Sequence, residues 1–151
     1  MEKLDVKIKL MRGMTAPKYA TDGSAALDLC AAIDEGEKIV IRPGERRMIP
    51  TGIAIAPETS GVVAVIAARS GLGIKKGICL ANGIGVIDSD YRGEISVGLY
   101  NISTEDFTVE RGDRIAQMMF MPVFSANLIE CEELDETKRG KGGFGSTGIK
   151  A

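Results

Sequence analysis

Short β-branched runs separated by glycine and proline limit the fold of this chain more than any other feature of its sequence. The runs cover residues 38–41, 46–49, 52–57, 62–67, 84–87, 94–100, 107–109 and 115–123. Glycine makes up 19 of the 151 residues and lies between the runs rather than within long 3.6-residue patterns. Because evenly spaced short strands joined by Gly and Pro turns are typical of such folds, the sequence predicts an all-β sandwich, jelly roll or barrel. A short helix at most is expected, near residues 72–77.

The chain length fits one domain followed by a distinct C-terminal segment. A chain of 151 residues is sufficient for one hydrophobic core. From Lys138 onward, five glycines fall within 14 residues, and there is almost nothing to bury. We therefore predict a β-barrel domain at residues 1–137 and a flexible Gly-rich lid segment at residues 138–151. Composition alone also fits a disordered tail without a function.

Missing residue types restrict the possible chemistry. The sequence contains no His and no Trp, which excludes an imidazole base, His-dependent nucleophilic systems and zinc sites that need His. Acid–base chemistry would therefore depend on carboxylates. The 19 Lys and Arg residues are outnumbered by 21 Asp and Glu, for a formal charge of -2. A nucleic-acid partner is not expected, and a phosphate ligand would need a local basic cluster.

Cysteine usage and hydropathy predict a cytoplasmic location. Cys30, Cys79 and Cys131 are far apart and form no C-x-x-C pair, so neither a disulfide framework nor a Cys-rich metal site is indicated. The N-terminus alternates charged and apolar residues, which predicts a first strand and not a signal peptide. The longest apolar stretch, residues 62–68, is far shorter than the roughly 20 residues of a membrane helix. No membrane association is expected.

Arg69, Ser70 and Gly71 follow the apolar run 62–67, which we expect to be a strand buried on both faces. A guanidinium group, a hydroxyl and the N–H groups of a turn emerge together at a strand end, which is typical of a phosphate site. The nearby Lys75 would add positive potential. The alternative is an ordinary structural turn, since Ser and Gly are common in turns.

Two carboxylates interrupt an apolar part of the sequence that otherwise predicts strands. Asp88 and Asp90 lie between apolar runs, although strands avoid Asp. Alternation would place both carboxylates on one face and the flanking Ile87 and Tyr91 on the other. The segment therefore predicts a carboxylate near an aromatic ring, able to activate water. The alternative is a plain β-hairpin with its turn at residues 90–93.

The tail combines a glycine pattern with residue types that bind phosphate. Residues 143–148 match G-x-G-x-x-G, but only three residues follow, too few for the helix of a dinucleotide fold. Arg139, Ser146 and Thr147 can bind phosphate, and Phe144 can stack on a base. These residues predict a lid that closes over a nucleotide.

In this order the segments resemble the five motifs of the trimeric deoxyuridine triphosphatases (dUTPases), over residues 17–148. The matching segments are 23–29, 68–73, 82–94, 111–117 and 139–148. Any one of them is weakly specific, whereas five in the family's order and spacing are specific. Ala26 stands where the family commonly has Gly, and Ala68 where it usually has Pro. Both departures leave the functional groups unchanged.

The resemblance implies an all-β, jelly-roll-like distorted β-barrel. It also implies a homotrimer with active sites shared between chains, which hydrolyses dUTP to dUMP and pyrophosphate with Mg²⁺. Such an enzyme would limit uracil incorporation into DNA and supply dUMP for dTMP synthesis. Asp88 would orient and deprotonate the water that attacks the α-phosphorus, and would bind the 3′-hydroxyl. Tyr91 would pack beneath the sugar, where a 2′-hydroxyl would clash, and so reject ribonucleotides.

The other roles that the resemblance implies concern the uracil, the phosphates and the metal. The uracil edge would be read by Asn82 and the backbone of residues 85–96, among them Gly85, Val86, Ile87 and Ser96. The phosphates would be held by Arg69, Ser70, Gly71 and Gln117, while Asp28 would touch the metal only through water. In the tail, Phe144 would lie on the uracil ring, Arg139, Ser146 and Thr147 on the γ-phosphate, and Gly145 within the substrate-binding set.

Two alternatives to this function remain open. A dCTP deaminase of the same fold would release ammonia from dCTP and no pyrophosphate from dUTP. A nucleotide-sensing binding protein would use the same pocket and act through a partner. The sequence Asp-Ser-Asp-Tyr-Arg-Gly at residues 88–93 resembles the hydrolase form, and it therefore favours dUTP hydrolysis.

Overall fold

Strands dominate residues 3–143, the part of the chain that the computed structural model describes. The strands are β1 Val6–Leu10, β2 Leu27–Cys30, β3 Lys38–Ile41, β4 Arg46–Pro50, β5 Ile53–Pro57, β6 Val62–Ala67, β7 Ile78–Leu80, β8 Gly85–Ile87, β9 Ser96–Asn101, β10 Phe107–Glu110 and β11 Arg114–Pro122. The helix is α1, Ser70–Lys76, between β6 and β7. The predictions of an all-β fold and of a short helix in this place are confirmed.

The strands pair in four antiparallel groups. The largest sheet has the order β2-β11-β6-β8, and the second has the order β4-β9-β7. The pairs β1-β5 and β10-β3 complete the arrangement. Strands distant in sequence pair with each other, as expected for a distorted jelly-roll type of fold. Over residues 3–143 the sheets stay separate and do not close into one continuous barrel.

Apolar side chains at alternate strand positions build one core between the sheets. In β9, Val97 and Leu99 are buried while Ser96 is exposed, which is the period of two that a half-buried strand requires. Each fully buried Leu, Ile or Val contributes about 1.5–3 kcal/mol. The largest fully buried side chains include Leu29, Ile41, Ile49, Ile78, Ile95, Leu99, Ile115 and Met118.

Strand β6 differs from its prediction in burial. Ala64 and Ile66 are buried in the core, whereas Val63, Val65 and Ala67 on the other face are only half-buried. The prediction that this run is buried on both faces is therefore wrong for the single chain. The apolar residues of the second face lie at its surface.

The surface beside β6 continues this apolar character onto the two neighbouring strands. Directly paired residues of antiparallel strands share a face. The register places Val86 and Met119 beside Val65, and Met121 beside Val63. We call these five residues the outer face. Val86 is 59% exposed and Met121 47%, so residues 3–143 leave this surface partly uncovered.

The segment that carries Asp88 connects two sheets and does not form a hairpin. Strand β8 pairs with β6, whereas β9 pairs with β4 and β7. The hairpin interpretation is therefore wrong, because the two flanking strands find partners elsewhere in the chain. We call residues 88–95 the crossover loop.

The turn in the crossover loop lies earlier than predicted. The Tyr91 N–H donates to the Asp88 carbonyl at 3.1 Å, which closes a turn over residues 88–91 instead of 90–93. Strand alternation ends at Ile87, so it does not set the directions of Asp90 and Tyr91. The predicted division of carboxylates and aromatic ring between two faces does not apply here.

Residues 123–143 contain no helix or strand and are exposed. Phe124, Leu128 and Ile129 are among the most exposed apolar side chains of the described residues. Across residues 3–143, no helix is long and apolar enough to cross a membrane. The proposed boundary between domain and lid at residue 137 stays a prediction.

Candidate active site

A cleft lies beside β2, β11 and the beginning of α1. Its volume is about 410 Å³, and six of its lining residues are Asp28, Arg69, Ser70, Gly71, Arg114 and Gln117. Five of these six come from the predicted site, and Arg114 is the addition. The structure therefore brings together the residues expected to hold phosphates and the aspartate expected beside the metal. We call this the anion cleft.

Asp28 lies between two guanidinium groups in the anion cleft. Its Oδ1 accepts a hydrogen bond from Nε of Arg69 at 2.8 Å, and its Oδ2 accepts one from Nη1 of Arg114 at 3.1 Å. The Asp28 and Arg69 side chains are half-buried. Because two guanidinium groups share one carboxylate, the cluster of three side chains keeps a net positive charge. The oriented guanidinium groups therefore suit a phosphate ligand.

A β-bulge in β11 places Arg114 and Gln117 on the same face. In a regular strand, residues three apart point to opposite faces. Here the register changes from Arg114 opposite Cys30 to Gln117 opposite Asp28, with one extra residue on β11. Because Cys30 and Asp28 are two residues apart on β2, they share a face, and so do Arg114 and Gln117.

Gln117 connects the anion cleft to the turn that carries Arg69. Its register partner on β6 is Ala67, and its Nε2 donates to the Ala68 carbonyl at 2.9 Å. Arg69 in turn donates from Nη1 to the Arg114 carbonyl at 3.2 Å. These bonds fix the turn at Ala68, the position where the dUTPase resemblance leads one to expect proline.

Ser70 and Gly71 begin α1 and are exposed at the edge of the cleft. The N–H groups of a first helical turn have no partner within the helix. A Cβ added to Gly71 would meet nothing within 4 Å. The glycine therefore leaves open surface beside Arg69, where a ligand can approach the backbone.

A second cleft, of about 380 Å³, adjoins the first at Asp28 and Arg114 and extends to residues 14–20. Cys30 lines it. Burial and the nearby Asp28 carboxylate raise the pKa of the Cys30 thiol. The thiol therefore remains neutral at pH 7 and leaves the charge of the site to Asp28 and the arginines.

Asp88 and Tyr91 are exposed in the crossover loop. The Tyr91 hydroxyl donates to the Glu94 carbonyl at 3.2 Å, so the ring folds back over its own loop. Tyr91 as a whole is 45% exposed, which leaves surface for a ligand to pack against. The predicted base and the predicted aromatic gate thus lie in one short segment.

The residues expected to read uracil lie around this loop and differ in exposure. They are Asn82, Val86 and Ser96, which are exposed, Ile87, which is half-buried, and Gly85, which is buried. A Cβ on Gly85 would lie 3.0 Å from the Cβ of Ile66. The glycine therefore permits the close approach of β8 to β6.

Within a single chain, Asp88 lies far from the anion cleft. The residue before Asp88 pairs with Ala64 near the start of β6, whereas Arg69 follows the end of that strand. At 3.3 Å per residue, the distance along the strand from Ala64 to Arg69 is about 16 Å. Asp28 is displaced further, because β2 and β8 are the two edges of the sheet. The described chain therefore keeps the anion cleft and the crossover loop apart, and we call these two regions the half-sites of the predicted active site.

The tail residues expected to close the site are described only in part. Arg139 is exposed, and its Nε donates to the Gly142 carbonyl at 3.0 Å, within its own turn. Phe144, Gly145, Ser146 and Thr147 lie outside the described residues. Their assignment to the uracil and the γ-phosphate stays a prediction.

Two further charged groups, for which the sequence predicts no role, lie near the predicted site. Arg114 belongs to the fourth matching segment, but regular alternation would point it away from Gln117. Glu94 accepts hydrogen bonds from Nε and Nη2 of Arg12 at 2.8 and 3.1 Å. The bond from Arg12 holds the pKa of Glu94 below its ordinary value. No local pattern could have paired residues 82 positions apart.

Comparison with known protein families agrees with the geometry. A family model described as dUTPase matches residues 12–148. The chain belongs to the dUTPase family. The resemblance drawn from the five segments is therefore confirmed over nearly the whole chain.

Curated relatives within the dUTPase family match along their full length. A protein of Desulfitobacterium hafniense (strain DSM 10664 / DCB-2) is 53% identical over 152 residues, which cover 99% of each chain. One of Haemophilus influenzae (strain PittEE) is 48% identical over 98% of this chain and 99% of its own length. Both are named deoxyuridine 5′-triphosphate nucleotidohydrolase.

A solved structure supports the fold. The dUTPase of Staphylococcus bacteriophage 80alpha, determined with dUPNHPP, has a TM-score of 0.82 and 25% sequence identity to this chain. The similarity covers 96% of this chain and 99% of the phage chain. The jelly-roll-like fold expected from the sequence is therefore the fold of this solved dUTPase.

Proposed function

We propose that this chain hydrolyses dUTP to dUMP and pyrophosphate by attack of an Asp88-activated water on the α-phosphorus. The observation that carries the proposal is the anion cleft, where Asp28 orients Arg69 and Arg114 in a chain of the dUTPase family. The nucleotidohydrolase names of the two curated relatives support hydrolysis. The water oxygen bonds to the α-phosphorus, pyrophosphate leaves, and the water proton passes to the Asp88 carboxylate.

The anion cleft stabilises the charge of the triphosphate. Asp28 holds the Arg69 guanidinium in place at 2.8 Å before any substrate arrives. Donors that are already oriented need no rearrangement when charge develops on the leaving pyrophosphate, so they lower the barrier more than flexible ones. Arg114 adds a second cation, and the Ser70 hydroxyl adds a hydrogen-bond donor.

Asp88 supplies the base in this proposal. The carboxylate is exposed in the crossover loop, so a water molecule can reach it without displacing a buried group. The chain has no histidine to take this role. A well-placed general base accelerates such a step by about 10²- to 10⁴-fold.

Mg²⁺ fits this site as an ion carried by the triphosphate. Within residues 3–143, no group of three or more Cys, Asp or Glu side chains is placed to hold a metal. Both Asp28 oxygens already accept from arginines, but each retains a second lone pair that can accept from a metal-bound water. Mg²⁺ keeps several waters and binds substrate phosphates readily. When bound, it would offset negative charge on the triphosphate.

A homotrimer with shared active sites, as the family resemblance implies, would join the two half-sites. The outer face lies on the strands between the anion cleft and the crossover loop. Packing this apolar surface against another copy would bury it and bring one chain's Asp88 toward the next chain's Arg69. The exposed Phe124 and Leu128 offer further apolar surface for such contacts.

Two inactive variants should complement each other if the site is shared. Asp88→Asn removes the proposed base, and Arg69→Ala removes the guanidinium group proposed to bind phosphate. In a trimer that contains both variants, about one site in three combines an intact Asp88 with an intact Arg69 from a neighbour. Coexpression with two affinity tags selects such mixed trimers and should therefore give about a third of wild-type pyrophosphate release from the doubly purified protein.

The control for complementation places both changes in one half-site. Trimers of Arg69→Ala and Arg114→Ala chains contain no cleft with both cations, so they should show no gain over the average of the separate variants. If the mixed Asp88→Asn and Arg69→Ala trimers are as inactive as the separate variants, and light scattering confirms that they are trimers, a shared site is contradicted.

Tyr91→Ala should raise activity on UTP relative to dUTP. Removal of the ring leaves room for a 2′-hydroxyl beneath the sugar, and discrimination against one small group is typically worth about tenfold or more. The measurement is kcat/KM for both nucleotides by pyrophosphate release. A ratio equal to that of the wild type would contradict a steric gate at this position.

An assay of dUTP, dTTP, dCTP and UTP distinguishes the proposed reaction from its alternatives. We expect pyrophosphate from dUTP and little from the other three. Ammonia from dCTP, with no pyrophosphate from dUTP, would instead support a deaminase. Tight dUTP binding with very slow turnover would support a nucleotide-sensing protein.

A further inference from the structure

Gly93 leaves the space in which the Tyr91 ring lies. A Cβ built on Gly93 would lie 2.5 Å from Cζ of Tyr91 and closer still to its hydroxyl oxygen. Carbon atoms in contact prefer about 3.5–4.0 Å. The φ angle of Gly93 is outside the positive range that favours glycine. The position of the ring, and not the backbone, therefore requires a residue without a side chain here.

The Glu94 carbonyl, which accepts the Tyr91 hydroxyl, is itself held through the Glu94 side chain. Its Oε1 accepts from the Gly52 N–H at 2.9 Å and from Nε of Arg12 at 2.8 Å. Its Oε2 accepts from Nη2 of Arg12 at 3.1 Å. The side chain thus connects the crossover loop both to the bend between β4 and β5 and to the turn that follows β1.

Ile95 attaches the crossover loop to the same bend. Its N–H donates to the Ile53 carbonyl at 2.9 Å, and its carbonyl accepts from the Thr51 N–H at 3.1 Å and the Thr51 hydroxyl at 2.6 Å. Thr51 and Ile95 are both buried. The support of the Tyr91 ring therefore reaches into the core, although the ring itself is at the surface.

We propose that Gly93 and the Arg12–Glu94 ion pair are positioning residues that hold the Tyr91 ring and thereby set the preference for deoxyribose over ribose. The inference rests on the proposed function, in which Tyr91 packs beneath the sugar. Gly93 acts by leaving room for the ring, and the ion pair acts by fixing the carbonyl that its hydroxyl bonds. Among Arg12, Tyr91, Gly93 and Glu94, the proposal requires only Tyr91 to contact the substrate.

Gly93→Ala should displace the ring without unfolding the chain, because the new methyl group meets the end of a side chain that can rotate. We expect kcat/KM for UTP relative to dUTP to rise about tenfold. Gly98→Ala is the matched control, since a Cβ there would lie 3.6 Å from the Cβ of Ala81, an ordinary contact. The control should keep the wild-type ratio, and the same unchanged ratio in Gly93→Ala would overturn the role of Gly93.

Arg12→Met and Glu94→Gln should each raise the same ratio by a smaller factor, about threefold. Because each change breaks the same contact, the Arg12–Glu94 ion pair, the double variant should show the same ratio as the single variants, and the two effects should not multiply. Glu45→Gln is the control: Glu45 accepts from Arg47 at 2.6 Å and from the Arg42 N–H at 2.9 Å, the same kinds of partner. An equal shift in Glu45→Gln, or multiplied effects in the double variant, would overturn the role of the pair.

Binding of uncleavable imido analogues of dUTP and UTP gives a readout that does not depend on turnover. Absence of pyrophosphate release from dUTP by the wild type would reject the proposed function, whatever the variants do. Release by the wild type together with an unchanged preference for the deoxy analogue in Gly93→Ala would reject only the positioning role. We expect Gly93→Ala to lose the preference for the dUTP analogue over the UTP analogue and to keep the unfolding temperature of the wild type.

Discussion

Asp88→Asn is expected to lower kcat for dUTP by about 10²- to 10⁴-fold while KM changes little. The amide has nearly the same size as the carboxylate and can still accept a hydrogen bond from water, but it does not take the proton. Because Asp88 is exposed and lies outside the core, the unfolding temperature should stay at the wild-type value. Steady-state pyrophosphate release, together with binding of an uncleavable analogue, separates the rate from the affinity.

Asp90→Asn provides the matched control for this variant. Asp90 is an exposed carboxylate in the same turn, two residues further along the chain. Its substitution makes the same change of charge and should leave kcat within a small factor of the wild type. An affinity loss in Asp88→Asn as large as its rate loss would show that Asp88 binds substrate and is not the base.

Truncation after Thr137 is expected to reduce kcat/KM by about 10²-fold or more, the typical cost of losing charge-stabilising donors. The deleted segment contains Arg139, Phe144 and the polar residues that we assign to the nucleotide. Residues 138–143 are exposed, and within the described part of the chain the Arg139 side chain bonds to its own turn. The β core should therefore unfold at the same temperature with or without this segment.

Truncation after Gly148 is the control, because it removes three residues beyond the last motif and should retain activity. A loss of thermal stability in the longer truncation would show that the tail supports the fold. Full activity of that truncation would contradict its assignment as a lid.

The periodicity of the sequence predicted most of the strands, because their alternation is a local property. Val97 and Leu99 are buried at alternate positions as expected. The position of α1 was also predictable, since Gly77 ends it with a φ of 65°, a conformation that glycine adopts readily. These features depend on residues close together in the chain.

Pairing between distant strands could not be predicted in the same way. The segment with Asp88 has the local pattern of a hairpin, yet β8 and β9 join different sheets. Which strand β8 pairs with depends on the close approach that Gly85 allows to Ile66, and the local pattern does not show that contact. The Arg12–Glu94 pair was missed for the same reason.

Burial also depends on more than one strand. Residues 62–67 are continuously apolar and predict burial on both faces, but the chain covers only the face of Ala64 and Ile66. A sequence pattern records the total burial that a strand experiences and does not say whether its own chain or another copy provides it.

The β11 bulge makes the anion cleft sensitive to strand register as well as to its side chains. If β11 paired regularly with β2, with the same residues and no bulge, Arg114 would turn to the face opposite Gln117. Asp28 would then keep a single cation, although every cleft side chain would still be encoded. Two chains with identical residues along this edge could therefore differ in their capacity for anions through the path of the backbone alone.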